Sequence, residues 1–230
     1  MRLTCLLMRS TMEETYLNCQ KVQNRDLVPL VDISDRLIGY KGKIEAHTLN
    51  HLGKCHLHRA FSVFLFDTSN KLLVQRRSKY KVTYPLHVAN TCCSHPKCNL
   101  DELEDGVGIK RAAVRRMAFE LGIKKIEVND LKIVSRLRYY SRSDEKFGEN
   151  EIDYCIIGRK DVEIDPNPGE VDETSYISFP ELPALVSMSD LTPWFRYVCQ
   201  GLLPQWWQNL DTIFRRPDDP LPEIINAGSL

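Results

Sequence analysis

Cys93 and His95 stand two residues apart in Asn90-Thr91-Cys92-Cys93-Ser94-His95-Pro96. On a strand, that spacing puts both side chains on one face. A thiol beside an imidazolium or a metal ion loses its proton more easily, so the pair suits proton transfer or nucleophilic attack. Glu149 and Glu151, in Gly148-Glu149-Asn150-Glu151, share the same spacing, and Asp153 continues their face. Carboxylates facing one way repel each other unless a proton or a cation lies between them. All six histidines, at 47, 51, 56, 58, 87 and 95, fall in one part of the chain. Three imidazoles and two carboxylates would satisfy a five- or six-coordinate divalent ion, and ligand types alone leave zinc, manganese and magnesium open. Taken singly, each motif has a plain structural reading: a buried cysteine, a hydrogen-bonded histidine or a solvated strand edge. Their concentration in one chain is what argues for a metal centre.

A basic group accompanies them. Arg76, Arg77 and Lys81 fall at the end of one expected strand and in the loop after it, and Arg115 and Arg116 lie on an expected helix. Guanidinium groups bind phosphate oxygens in pairs, and lysine adds a point charge. Beside a metal, such a set suits a phosphorylated small molecule; away from one, it is a solvated charged face.

The elements that must hold these residues follow from hydrophobic period and turn chemistry. Strands are expected at Leu27–Ile33, Arg59–Phe66, Lys71–Arg77 and Val88–Ser94, with residues 40–57 as a loop carrying histidines. Gly108–Gly122 reads as a helix, because Ile109, Ala112, Ala113, Met117 and Leu121 form one stripe and Gly122 suits its end. Strands are expected again at Leu131–Tyr140 and Glu151–Gly158, around a charged loop at 141–150, and then at Thr174–Phe179. Helices are expected near Glu181–Ser187 and Pro193–Leu210. Strands on both sides of one helix, with helices after them, predict an α+β chain built as an α/β/α sandwich around a mixed sheet. Residues 1–26 are expected as an N-terminal arm, 27–212 as the catalytic domain and 213–230 as a flexible tail.

Composition narrows the partners. The chain has 230 residues, with Lys+Arg and Asp+Glu both 31 and 43% apolar residues. A net charge of zero gives no bulk attraction to nucleic acid or to an anionic membrane. No apolar run reaches the length of a membrane span. The expectation is a cytoplasmic monomer acting on a small molecule, with its eight cysteines reduced. Arg2 and Arg9, with no acid in the first twelve residues, leave an organellar presequence open, and a mitochondrial or peroxisomal location is the alternative. Gly228-Ser229-Leu230 lacks the central base of a peroxisomal Ser-Lys-Leu signal.

Arg115 to Ile123 keeps the Arg, Glu, Gly and aliphatic spacing of the second half of a Nudix box, while Arg116 and Phe119 stand where two of that box's glutamates would be. Together with His58–Phe66, Asn90–Pro96, Gly148–Tyr154, Thr192-Pro193-Trp194-Phe195 and Trp206-Trp207, this segment resembles the type 1 isopentenyl-diphosphate isomerases. These are a divergent Nudix-fold family, and the match to their eukaryotic branch runs from about residue 27 to 212.

The resemblance implies a Nudix-like mixed sheet flanked by helices, with extra C-terminal helices. It implies interconversion of isopentenyl and dimethylallyl diphosphate by addition and removal of protons, in isoprenoid biosynthesis. It implies His47, His58, His95, Glu149 and Glu151 as metal ligands, and Glu120 as ligand of a second magnesium. Cys93 and Glu151 would be the proton-transfer pair, assisted by Tyr139. Lys43, Arg77, Lys81 and Arg116 would bind the diphosphate, and Trp194 would shield the site. The cofactor expected is magnesium, with manganese or zinc as alternatives at the His/Glu site. The chain departs from the family pattern where Pro85-Leu86 replaces Pro-Gly and where Val88-Ala89 replaces an aromatic residue and threonine. Leu86 brings a side chain to a position suited to glycine. A Nudix-type diphosphate hydrolase and a catalytically weak metal- and diphosphate-binding paralogue are the competing readings.

Overall fold

The nine residues from His58 to Phe66 are all buried. A strand covered on both faces loses the polar alternation of a surface strand, which is why this segment is nearly continuous in apolar and aromatic residues. It is the axis of the fold. The computed structural model describes residues 26–217 and 220–230, so the expected arm at 1–26 lies almost wholly outside the described residues.

In chain order the strands are β1 (Leu27–Val31), β2 (Leu37–Gly42), β3 (His58–Phe66), β4 (Leu72–Arg77), β5 (Val88–Ala89), β6 (Cys92–Ser94), β7 (Leu131–Arg142), β8 (Gly148–Arg159), β9 (Val171–Ile177) and β10 (Ile224–Ser229). The helices are α1 (Lys43–His47), α2 (Leu100–Leu103), α3 (Val107–Leu121), α4 (Leu182–Ser187), α5 (Pro193–Gly201), α6 (Leu203–Gln208) and α7 (Leu210–Arg215). The main sheet runs β10-β7-β8-β3-β1-β2, and β4 and β6 also pair with β3. β3 lies parallel to β8, from His58 opposite Glu151 to Phe66 opposite Arg159. β7 and β8 are antiparallel. The sheet is therefore mixed, as the sequence predicts.

Two cores cover its faces. Phe61, Val63 and Leu65 of β3 pack with Ile109, Ala112, Ala113, Met117 and Leu121 of α3. Phe64 and Phe66 point the other way and pack with Trp194, Phe195 and Trp207 of the C-terminal helices. Each of the Val, Leu, Ile, Phe and Met side chains among them, taken fully out of water, contributes about 1.5–3 kcal/mol of transfer free energy. α3 ends at Gly122, whose φ of 67° is left-handed and whose N–H bonds back to the Met117 carbonyl.

The structure corrects several expectations. The expected histidine loop at 40–57 holds the end of β2 and the short helix α1, which brings His47 inward. Val88–Ser94 is not one strand: Asn90 and Thr91 separate β5 from β6. The expected loop 141–150 shortens to 143–147, because β7 and β8 extend into it. Pro193–Leu210 is three helices rather than one continuous helix, and Pro204, which cannot continue a helical hydrogen-bond ladder, opens the second of them. The expected flexible tail at 213–230 holds the last residues of α7 and also β10, which pairs parallel with β7. Its hydrogen bonds come from backbone, so the low apolar content of the segment gave no sign of them.

Candidate active site

β3 and β8 place His58 directly opposite Glu151. α1 brings His47 to the same point, and His95 follows the end of β6, which is paired to β3 through Ser62 and Cys93. The three ring centroids lie 4.5 to 5.1 Å apart. One ligand atom from each of His47, His58, His95 and Glu151 falls within 4.8 Å of the others.

The tautomers fit a cation. Nδ1 of His47 is 2.7 Å from the Lys43 carbonyl, and Nδ1 of His58 is 2.8 Å from the His56 carbonyl. Carbonyls accept only, so both Nδ1 atoms carry protons and both Nε2 atoms present lone pairs to the interior. They face the Glu151 carboxylate, with His58 Nε2 at 3.2 Å and His47 Nε2 at 3.9 Å. Lone pairs converging on a carboxylate in a buried space call for a positive charge among them. Burial holds His47 well below the usual imidazole range and lowers His95 to about 4, so both are neutral at pH 7. Burial alone would raise the Glu151 carboxyl, but the imidazoles of His58 and His95 packed against it hold it well below its ordinary value. These residues fit a divalent metal.

Tyr139 is the next contact. β7 pairs Tyr139 with Glu151, and the phenol lies 2.6 Å from the Glu151 carboxylate and 2.9 Å from that of Glu149. Glu149 also accepts from Thr83 at 2.6 Å. Burial, with the charge of Glu151 beside it, raises Glu149 to about 7. Glu149 is thus linked to the four-residue group through the Tyr139 hydroxyl and is not part of it. Asp153, buried farther along the same face, is pushed well above the carboxylate range by burial and by Glu151.

Cys93 lies on the other side of β3. Its Sγ donates to Asn90 Oδ1 at 3.0 Å, and the same oxygen accepts from Trp194 Nε1 at 3.1 Å. Burial and the nearby Asp153 push the thiol up to about 12, so it holds its proton at pH 7. Cys92 points to the opposite face, toward Glu120 at 3.5 Å. One cavity is bordered by Cys93, His47, His95, Glu149 and Glu151, by Trp194, and by Lys43, Arg77 and Lys81.

The cationic side is built as a paired cluster. Lys81 meets Glu170 at 2.5 Å and Glu120 at 3.6 Å. Arg116 bonds Glu120 and lies 3.3 Å from Glu170. Burial would raise Glu120, but the charges of Lys81 and Arg116 bring it down to about 2. Burial, reinforced by Lys81 and Arg116, lowers Lys43 to about 8. Glu120 belongs to this cluster and not to the imidazole group. Arg77 donates to the backbone oxygens of Thr83 and Tyr84 and lies 5.6 Å over the Trp194 ring.

Of the other charged candidates, Arg76 turns away to Asp190 at 2.6 Å, and Arg115 is bound by Glu102 at 2.6 Å. His51, His56 and His87 are outside the group of four. The six described cysteines are free thiols. Sequence reasoning missed Thr83 and Glu170, which sit in segments without period, and passed over the organising role of Asn90 within its own motif.

The NUDIX-domain family matches residues 56–195. The chain is 42% identical over 207 residues to isopentenyl-diphosphate delta-isomerase 1 of Mesocricetus auratus, covering 86% of this chain and 91% of that protein. The chain belongs to the isopentenyl-diphosphate delta-isomerase family. The Arabidopsis thaliana isopentenyl-diphosphate delta-isomerase II, chloroplastic, is 42% identical over 194 residues, covering 79% of this chain and 68% of that one. The fold is shared more widely. A Deinococcus radiodurans protein of known structure superposes with a TM-score of 0.53 at 14% identity, covering 76% of this chain and 98% of its own. In this isopentenyl-diphosphate delta-isomerase family member, Arg116 of α3 lies 5.0 Å over the ring of Phe119 and pairs with Glu120. Among the described residues no helix is long and apolar enough to cross a membrane.

Proposed function

We propose that this chain interconverts isopentenyl diphosphate and dimethylallyl diphosphate, and that Cys93 and Glu151 exchange the protons. The carrying observation is that a thiol and a carboxylate from different strands border one cavity, together with Trp194, Lys43, Arg77 and Lys81. A double-bond shift adds a proton at one carbon and removes one at another, so the pair needs one proton between them and works in either direction. Tyr139 holds the Glu151 carboxylate and can pass a proton to it or from it.

Protonating an alkene makes a tertiary cation that water captures, so the site must be dry and electron-rich. Trp194 is 2% exposed, and Tyr139 stacks against it at 6.1 Å. An aromatic face stabilises a cation without offering it a nucleophile. Lys43, Arg77, Lys81 and Arg116 supply the charge for a diphosphate, whose binding energy positions the alkene. Glu120, within that cluster, is assigned to a magnesium ion arriving with the diphosphate.

His47, His58, His95 and Glu151 would hold a resident divalent ion. Three imidazole nitrogens and one oxygen favour zinc or manganese at this centre over magnesium. Such an ion would supply positive charge that orders Glu151 and balances the buried carboxylates. Glu149 is assigned to the same centre as a ligand recruited on metal binding.

The test is conversion of isopentenyl diphosphate in deuterated water, comparing the metal-loaded protein with Cys93→Ala. Deuterium in the dimethylallyl product, lost in the variant, is the expected result. A folded, metal-loaded wild-type protein that gives no conversion refutes the assignment.

A further inference from the structure

Tyr84 forms part of the wall around Trp194, yet its backbone has a φ of 47°, in the left-handed region that side chains disfavour. A residue there is held by its surroundings. Its N–H donates to Ser143 Oγ at 2.9 Å, and its carbonyl accepts from Arg77 Nε at 3.1 Å. Its ring meets Trp194 edge-on at 5.4 Å. Its hydroxyl lies 2.5 Å from Ser141 Oγ.

Ser141 is 1% exposed and donates its single proton to the backbone oxygen of Leu230 at 3.1 Å. Its oxygen is therefore the acceptor, and Tyr84 is the donor. Leu230 is fixed in turn by its own N–H, which bonds the Tyr140 carbonyl at 2.9 Å. β10 also pairs Gly228 with Tyr139. One short chain of bonds thus runs from the residue after β10, through Ser141, to the ring packed on Trp194.

We infer that Ser141 is a positioning residue for the reaction: it ties the β10 segment to Tyr84 and so keeps the Trp194 wall closed to water. This rests on the isomerase reading above. The chemistry that a loosened wall admits is specific. The proton added to the alkene leaves a tertiary cation, a water oxygen bonds to that carbon, and the water gives up one proton. The product is a tertiary alcohol diphosphate in place of the isomer.

The experiment uses the full, metal-loaded chain with Ser141→Ala, Tyr84→Phe and the double variant. Tyr84→Phe keeps the ring and removes only the bond, so it tests the idea even if Ser141→Ala folds poorly. Turnover of isopentenyl diphosphate is followed by NMR of the products. Each single variant is expected to lower kcat roughly 10-fold with KM within about twofold, the scale of a small misplacement near the reacting centre. The double variant is expected to be no worse than the poorer single one, and the alcohol to appear only in the variants. Either single kcat within about twofold of wild type, losses that multiply in the double variant, or slow variants that make no alcohol would each overturn it. Absence of any conversion by wild type refutes the isomerase reading itself, which is a separate result.

Discussion

The hydroxyl of Tyr139 stands 2.6 Å from Glu151 and is also within hydrogen-bonding distance, 2.9 Å, of Glu149. A phenol has one proton, so both contacts are fully satisfied when Tyr139 donates to one carboxylate and the other carboxyl carries a proton of its own. The raised value of Glu149, about 7, identifies which one keeps it.

Removing that phenol should therefore damage turnover more than binding. Tyr139→Phe is expected to lower kcat by about 10²–10³-fold, the scale for losing a proton-transfer or charge-stabilising contact, with KM changed little. Steady-state kinetics decide it. A KM increase with unchanged kcat would place Tyr139 in substrate binding instead.

Glu149 gives a pH signature in the metal-free protein. Its carboxyl titrates near 7 when folded against an ordinary value near 4.5. The stability it contributes is fully present below about 4.5 and is lost as pH rises through about 7. The window is up to about 3 kcal/mol wide. Urea unfolding of wild type and Glu149→Gln at pH 5 and pH 8 measures it. Relative to the variant, wild type should be less stable at pH 8 than at pH 5, and an unchanged difference would contradict the reading.

The imidazole centre should bind metal in mildly acidic solution. His95 titrates near 4 when folded, against an ordinary value of 6.5, so its nitrogen is still a free lone pair at pH 5. The same shift makes the metal-free fold less stable as pH falls from about 6.5 toward about 4, because the unfolded chain takes up the proton first. Calorimetric titration with zinc or manganese at pH 5 and pH 7 should find binding at both, and His95→Asn should weaken it by at least about 10-fold.

Leu86 carries a strain that can be removed. Its φ is 60° and its side chain is largely exposed, while Arg76 holds its carbonyl at 2.7 Å. Leu86→Gly should relieve about 1 kcal/mol of left-handed backbone strain. That corresponds to a rise in Tm of about 2–4 °C. Calorimetry checks it, and a lower Tm would show that the leucine side chain contributes more than its backbone costs.

How far the sequence discloses this site depends on the kind of element involved. Cys93 with His95, and Glu149 with Glu151, were legible because strand geometry fixes residues two apart on one face. His47 needed α1, a helix of 5 residues with no period long enough to read. Thr83 and Glu170 reach the site from segments remote in sequence, 66 residues from Glu149 and 89 residues from Lys81 respectively. β10 was hidden because it is held by backbone pairing and by contacts of Ala227 and Leu230 with one core. Pro193–Leu210 reads in sequence as one helix, whereas Pro204 opens a new one.

The adjacent thiols of β6 make the site intolerant of a frame error. Cys92 belongs to the layer under α3, and Cys93 borders the cavity. Deleting one residue between Ala89 and Cys92 would slide Cys93 into the place of Cys92 under α3 and bring Ser94 to the cavity, without changing the chain's cysteine content. In a lineage, chemistry at this position could thus be abolished by an indel that leaves both cysteines in the alignment.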